Sequence, residues 1–231
     1  MNLIGRYNIF ARLLPVILTS LPFFVLYYFC LRPVIGDFVG HVLAIQWISD
    51  VGLSFAIIYL FMQINRLISK EFFEKKMFSN GLNMPTTNYL MHSDPNLSFE
   101  YTKKIHLKIY EDFSIVIPSM QEELRNEKGS RQKISEAVAL IRKKVGDGVL
   151  ILQHNIEYGF VRNLIGGSVI AVIISVININ IFSWVAYNQI ALIISCILAF
   201  LYLCVVISSK WIVTTFGNNY ASVLIQEYMA G

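Results

Sequence analysis

Four stretches of this chain are apolar enough and long enough to be membrane-spanning helices, and nearly all of its charge lies between the second and the third. The hydrocarbon core of a bilayer, about 30 Å thick, takes roughly 20 apolar residues at 1.5 Å rise each. Such stretches run from about Leu13 to Leu31, Val42 to Met62, Leu164 to Phe182 and Ala186 to Ile207. Only the second holds a formal charge, Asp50. Of the 19 lysines and arginines, 15 lie between Arg66 and Arg162, and 12 of the 15 acidic residues lie between Glu71 and Glu157. The flanks therefore carry too little charge to be solvated in water, and the expected class is an all-α membrane protein. Four transmembrane helices form two hairpins, with a helical cytoplasmic module between them. The expected divisions are 1–64 for the first hairpin, 65–163 for the module, and 164–231 for the second hairpin with a short cytoplasmic tail.

Other classes are excluded. Three cysteines, Cys30, Cys196 and Cys204, all inside or at the ends of apolar runs, do not make a disulfide scaffold. Aromatics at 13% and charges at 15% exclude a disordered chain. The first apolar run is longer than a signal-peptide core and no small-residue cleavage site follows it, so a permanent span is expected. Pro15 and Pro22 predict bends in it, tolerated where neighbouring helices satisfy the freed carbonyls.

Basic residues are retained on the cytoplasmic side. Arg66, Lys70, Lys75 and Lys76 follow span two, and Arg142, Lys143, Lys144 and Arg162 precede span three. The two short connectors carry only Arg32. Both termini and the central block are thus expected in the cytoplasm, and Tyr27, Tyr28, Trp184, Tyr187 and Trp211 are expected near the interfaces.

Within the block, residues 65–77 have no helix breaker before Ser79, Asn80 and Gly81, which predicts a helical stalk. Residues 84–95 read as a linker in which Thr87 caps a short helix. Leu97, Tyr101, Ile105, Ile109 and Phe113 recur every four residues, predicting a helix from Ser98. The alternation around Ile105, Leu107 and Ile109 also suits a strand, but charged helix formers fill the gaps. Ile134, Ala137, Val138, Ile141 and Val145 predict a second helix, capped by Ser130 and ended by Gly146. A further helix is expected to run through 149–158 into span three, with Gly159 its weakest point.

An acid inside a span costs a few kcal/mol unless it faces a partner or water. Gln46, Asp50 and Ser54 recur at i, i+4 and i+8, with Ser49 beside them, so one face of span two is polar. That face either lines a wet pathway in an oligomer or locks helices together through Asn178, Asn180 or a hydroxyl. Asn178 and Asn180 are candidates for the outer mouth of the same path, or for helix caps. Gly166, Gly167 and Ser168 let another helix approach closely, or form a gating hinge. Arg142, Lys143, Lys144 and Arg162 either hold the loop inside against anionic lipid or bind an anionic cytosolic ligand such as a nucleotide. His154 and Glu157, at i, i+3, face one way but lack further ligands. No metal or cofactor site is expected, and no phosphate-binding glycine loop or nucleophile elbow occurs, so an enzyme is not expected.

The order span, span, helical cytoplasmic block, span, span, with Pro85-Thr86-Thr87-Asn88-Tyr89-Leu90 and Tyr158-Gly159-Phe160-Val161-Arg162-Asn163, resembles the membrane effectors of Hailong-type bacterial anti-phage systems. The resemblance covers nearly the whole chain by layout and transfers no individual residue role. It implies a homotetrameric inner-membrane ion channel that depolarises the infected cell. It also implies a closed state held by an oligonucleotide from a companion nucleotidyltransferase. By the residues alone, the expected function is an oligomeric pore or channel with an acidic ring at Asp50. The alternative is a non-conducting scaffold or sensor that docks a cytosolic partner. A secondary transporter is disfavoured because no inverted repeat is evident.

Overall fold

The computed structural model describes residues 3–32, 47–146 and 148–231, with the side chains of 3–4 and 47–54 outside the description. The described residues contain helices and turns and no strand. The main helices are α1 (Gly5–Leu31), α2 (Trp47–Ile68), α3 (Phe99–Phe113), α4 (Glu127–Val145), α5 (Val149–Asn180), α6 (Gln189–Ile207) and α7 (Ser209–Ala230).

Three helices among the described residues, and not the expected four, are long and apolar enough to cross a membrane: Gly5–Leu31, Val149–Val185 and Gln189–Ile207. The expected second span starts outside the described residues, and its described backbone is α2, where Asp50 and Arg66 bracket the apolar run. The Val149–Val185 helix has 37 residues, about 55 Å at 1.5 Å each, well beyond one bilayer core. Its first turns, with His154, Glu157 and Arg162, are accordingly polar.

The chain divides into two compact units. A bundle comprises Ile4–Phe73 and Gly159–Ser209, and a module comprises Glu74–Tyr158 and Lys210–Gly231. The units meet in sequence at 73/74, 158/159 and 209/210. The C-terminal stretch is no short tail but helix α7, and from Lys210 it belongs to the module.

The core of the module is built from the stripe Ile105 and Ile109 of α3, the stripe Ile134, Ala137, Val138 and Ile141 of α4, and Ile151 at the start of α5. Tyr89, Leu90 and Met91 and, from α7, Ala221, Leu224, Ile225 and Tyr228 close it. Ser98 caps α3 by accepting from Tyr101 N–H at 3.3 Å, so the helical reading of this stretch holds and the strand alternative fails. Helix α4 starts earlier than expected. Asn126 caps it, accepting from Gly129 N–H at 3.0 Å, and Ser130 is buried inside the helix. Gly146 ends it at φ +66, a conformation that disfavours any residue with a Cβ. Thr87 lies inside the short helix Pro85–Asn88, whose cap position is Met84. The stalk ends where expected, at a turn whose residues Ser79, Asn80 and Gly81 all have positive φ.

In the bundle, α1 is a chain of short runs. Leu14–Thr19 and Leu21–Leu26 meet at Ser20 (φ −85, ψ −6), and wider π-helical turns flank them at Asn8–Leu13 and Tyr27–Leu31. The two prolines account for the breaks, since each removes a donor from the helical ladder. In contrast, α5 passes unbroken through Gly159, Gly166 and Gly167. Gly166 and Gly167 lie where Thr19, Asn65 and Ser69 come close, as the packing reading of this pair expects.

Candidate functional site

A proline in a spanning helix frees the carbonyl four residues before it, and lipid offers that oxygen no donor. Pro15 frees Ala11 O and Pro22 frees Leu18 O. Both are met by side chains from other helices. Asn163 of α5 donates Nδ2–H to Ala11 O at 2.6 Å, and the Tyr202 hydroxyl of α6 donates to Leu18 O. Asn178 of α5 donates to Pro22 O at 2.8 Å, and Thr19 donates its hydroxyl to Pro15 O at 2.8 Å.

These bonds define a polar seam inside the bundle. Along α5, Asn163, Ala171, Ser175, Asn178 and Phe182 are all buried and lie on one broad face. Opposite stand Thr19 of α1, Asn65 of α2 and Ser69 just beyond α2, also buried. Asn65 donates Nδ2–H to Thr19 Oγ1 at 3.2 Å, and Ser69 donates its hydroxyl to Arg162 O. The helices approach this closely because α5 presents Gly166 and Gly167. A methyl on Gly167 would lie 2.5 Å from both Asn65 Nδ2 and Thr19 Oγ1. The seam is not fully satisfied. Asn163 Oδ1, Asn178 Oδ1 and Ser175 Oγ are buried with no hydrogen-bond partner among the described residues.

Of the six candidate pore residues, the structure describes the side chains of Asn178 and Asn180. Gln46 lies outside the described residues, and Ser49, Asp50 and Ser54 lie on α2 with side chains outside the description. Asn178 is sealed in the seam, whereas Asn180, two residues on, is exposed and bonded to Val176 O at 2.8 Å. The two asparagines therefore do not share a face. From residue 55 to 60, α2 is exposed at every position except Ile58.

The basic candidates fare differently from one another. Arg142 donates to Thr86 Oγ1 at 3.1 Å and lies over the Tyr220 ring at 5.6 Å. Lys144 pairs with Asp112 at 2.5 Å beside the Phe113 and Tyr228 rings. Lys143 is exposed with no partner among the described residues. Arg162 belongs to the bundle unit, and the other three belong to the module. Hydrogen bonds from Lys144 and then Tyr228 hold the Asp112 carboxyl below its usual range. Burial, followed by the bond to Asp112 at 2.8 Å, pushes the Tyr228 hydroxyl well above its ordinary value.

A second polar knot ties down the linker. The buried Glu123 carboxylate accepts from His92 backbone N–H at 3.0 and 3.1 Å, and His106 Nε2–H donates to Leu90 O at 2.8 Å. Burial lowers the His106 pKa to about 4, opposed by its bond to Leu90 and aided by the neighbouring His92. Folded His106 is neutral where unfolded His106, near 6.5, takes up a proton. Its contribution is thus fully present above about pH 6.5 and is lost as pH falls toward 4. Thermal unfolding of the full-length protein is expected to drop between pH 7 and pH 5, with a shallower slope in His106→Gln. An unchanged slope would assign the effect to other groups.

His154 and Glu157 do face one another, at 3.2 Å. No cluster of three or more potential metal ligands occurs among the described residues. Open clefts lie in the module among the described residues. One, about 600 Å³, is lined by Ser79, Asn80, Leu82, Asn83, Glu127, Lys128 and Arg131. Its guanidinium is already engaged by Glu127 at 2.8 Å and Asn88 at 2.6 Å. No protein-family model, curated protein or solved structure matches this chain.

Proposed function

We propose that this chain is a four-span, multi-pass subunit of an oligomeric ion channel in a bacterial inner membrane, acting as an anti-phage effector under the control of an anionic nucleotide or oligonucleotide. The spans are α1, a second built on α2, α5 and α6, with both termini and the module in the cytoplasm. The observation that carries the reading is the polar face Gln46, Ser49, Asp50 and Ser54 on a segment otherwise apolar enough for lipid.

Two features of the bundle support it. Among the described residues the polar seam is closed by tight contacts at Gly166 and Gly167. The outward residues of α2, including Phe55, Tyr59 and Leu60, are uncovered and available to sister copies. Copies arranged around an axis would bring Asp50 into a ring whose charge favours cations. A tetramer is the stoichiometry that the family likeness suggests. In the module, an anionic ligand at Arg142, Lys143 and Lys144 would compete with Asp112 for Lys144, which couples ligand binding to the core through Tyr228. The oligonucleotide identity, and its supply by a companion nucleotidyltransferase, rest on the resemblance alone.

The scaffold reading is favoured by one observation. Outward on α3, Phe99, Leu107 and Tyr110 are each more than half exposed, as a partner-docking face would be.

Cation flux from liposomes containing the purified protein separates the two. Asp50→Asn is expected to cut flux by about tenfold, the low end of what a charged lining adds to local ion concentration, while assembly stays intact. Equal flux in the variant would remove the acidic ring, and no flux under any condition would favour the scaffold.

A further inference from the structure

Around the turn at Ser20 three helices each commit a donor to a fourth. Asn65 of α2 reaches Thr19 Oγ1 at 3.2 Å, Tyr202 of α6 reaches Leu18 O, and Asn178 of α5 reaches Pro22 O at 2.8 Å. The pins thus fall on both sides of the break, two before it and one after. We propose that this turn is a hinge in span one, on which the outer arm Leu21–Leu31 moves, and that Tyr202, Asn178 and Asn65 are its latch.

Unequal side-chain burial of the two arms argues for movement rather than simple satisfaction of a freed carbonyl. Before the hinge, Ala11, Pro15, Val16 and Thr19 are buried, and Ala11 packs beside Gly159 where no side chain larger than hydrogen fits without displacement. After it only Pro22 is buried, while Phe24, Tyr27 and Tyr28 are exposed. Among the described residues the outer arm is held by the Asn178 bond, by edge contacts of Phe23 with Phe61 and Phe29 with Phe182, and by packing of Leu21–Leu26 against α6. Backbone continuity across the joint is also weak. The ladder tightens to Phe23 N–H on Ser20 O at 2.9 Å, three residues back, and Pro22 has no N–H to give.

The latch is half made. Asn178 spends its N–H on Pro22 while its Oδ1, and Ser175 Oγ three residues before it, have no partner among the described residues. Buried polar atoms left unmet mark a site with a second arrangement or a water in the first. Swinging the outer arm away opens the face of α5 that carries both, and water entering from the outer surface would supply the donors that lipid cannot.

The test measures arm position, not conduction, so it is independent of the channel reading. In full-length protein with Cys30, Cys196 and Cys204 replaced by alanine, spin labels are placed at Ile193→Cys on α6 and at either Phe24→Cys or Ile17→Cys. Labelled subunits are diluted with unlabelled ones in lipid. For the Phe24 pair, a minor second distance is expected, growing about fivefold in Tyr202→Phe, the population change one net hydrogen bond carries. For the Ile17 pair a single distance is expected in both. Pro22→Ala restores the N–H that Leu18 O lacks, and is expected to abolish the second distance and the effect of Tyr202→Phe. A single Phe24 distance in every variant overturns the hinge, as does equal broadening of the Ile17 pair. Should Tyr202→Phe fail to assemble, a second Phe24 distance that persists in Pro22→Ala overturns it equally.

Discussion

Valine at position 166 is expected to abolish the assembled bundle. Even a Cβ there would run into the backbone carbonyl of Asn65 and lie 2.9 Å from Ser69 N and Oγ, and backbone cannot rotate aside as a side-chain tip can. Overpacking a well-filled site costs about 1–3 kcal/mol, and more when two helices must separate to admit the group. Separation here would also strip Asn65 of Thr19 and break the bond from Ser69 to Arg162 O. The total approaches the whole net stability of a small fold, about 5–15 kcal/mol. Gly159→Ala is milder, because its new methyl meets the Tyr7 hydroxyl at 2.8 Å and the Ala11 Cβ at 3.0 Å, and the tyrosine can yield. Gly148→Ala is the control, with only the Glu227 carboxylate at 3.5 Å. Size-exclusion profiles in detergent should rank the three in that order. A Gly166→Val protein that elutes and melts as the unmodified one would refute the contact between α2 and α5.

Ending the chain after Ser209 is expected to unfold the module. Ala221, Leu224, Ile225 and Tyr228 are each 0–1% exposed, so their loss opens one whole side of the core made by α3 and α4. Single large-to-alanine changes at such sites cost about 2–5 kcal/mol, and here several occur together. Tyr228→Phe separates packing from polarity. It keeps the ring stacked near Phe113 and removes only the hydroxyl from Asp112, a much smaller loss than that of the helix. Amide hydrogen exchange on the full-length and shortened proteins reads the outcome at Ile105, Ile109, Ile134 and Ile141. Equal protection in both would show that α7 rests on a module stable without it.

The local elements of the module were largely legible. A four-residue repeat places Ile105 and Ile109 on one side of a helix whatever its neighbours are, and Ser98 and Gly146 cap by chemistry that acts within a turn. Less legible was α7. Gly217, Asn218 and Asn219 are turn-forming residue types, yet the helix continues through them, with Gly217 close to Pro85. The start of α4 was misplaced by the presence of two good caps, Asn126 and Ser130, of which the burial of Ser130 selects the first.

Among the candidate site residues, spacing alone did not tell a buried amide from an exposed one. Asn178 and Asn180 are chemically identical and adjacent in depth, and only the approach of the broken turn of α1 makes one of them a structural donor. Similarly, Arg142 and Lys144 look like free cations in a basic run until Thr86, Tyr220, Asp112 and Tyr228 are brought beside them. A signal for Asn163 and Tyr202 did exist. The two prolines of α1 require two donors from elsewhere, although which side chains supply them is not encoded locally.

The amino-acid order by itself determined the apolar stretches, the central charged block, the breaks in α1 and the helical periodicities, because each follows from solvation or backbone chemistry over a few neighbouring residues. Tertiary structure alone decided which polar groups are enclosed in the seam, that α7 completes the module, and that three helices converge on Ser20. Those outcomes depend on close approach between segments far apart in the chain, and hydrogen bonds and packing forces act only at contact distance.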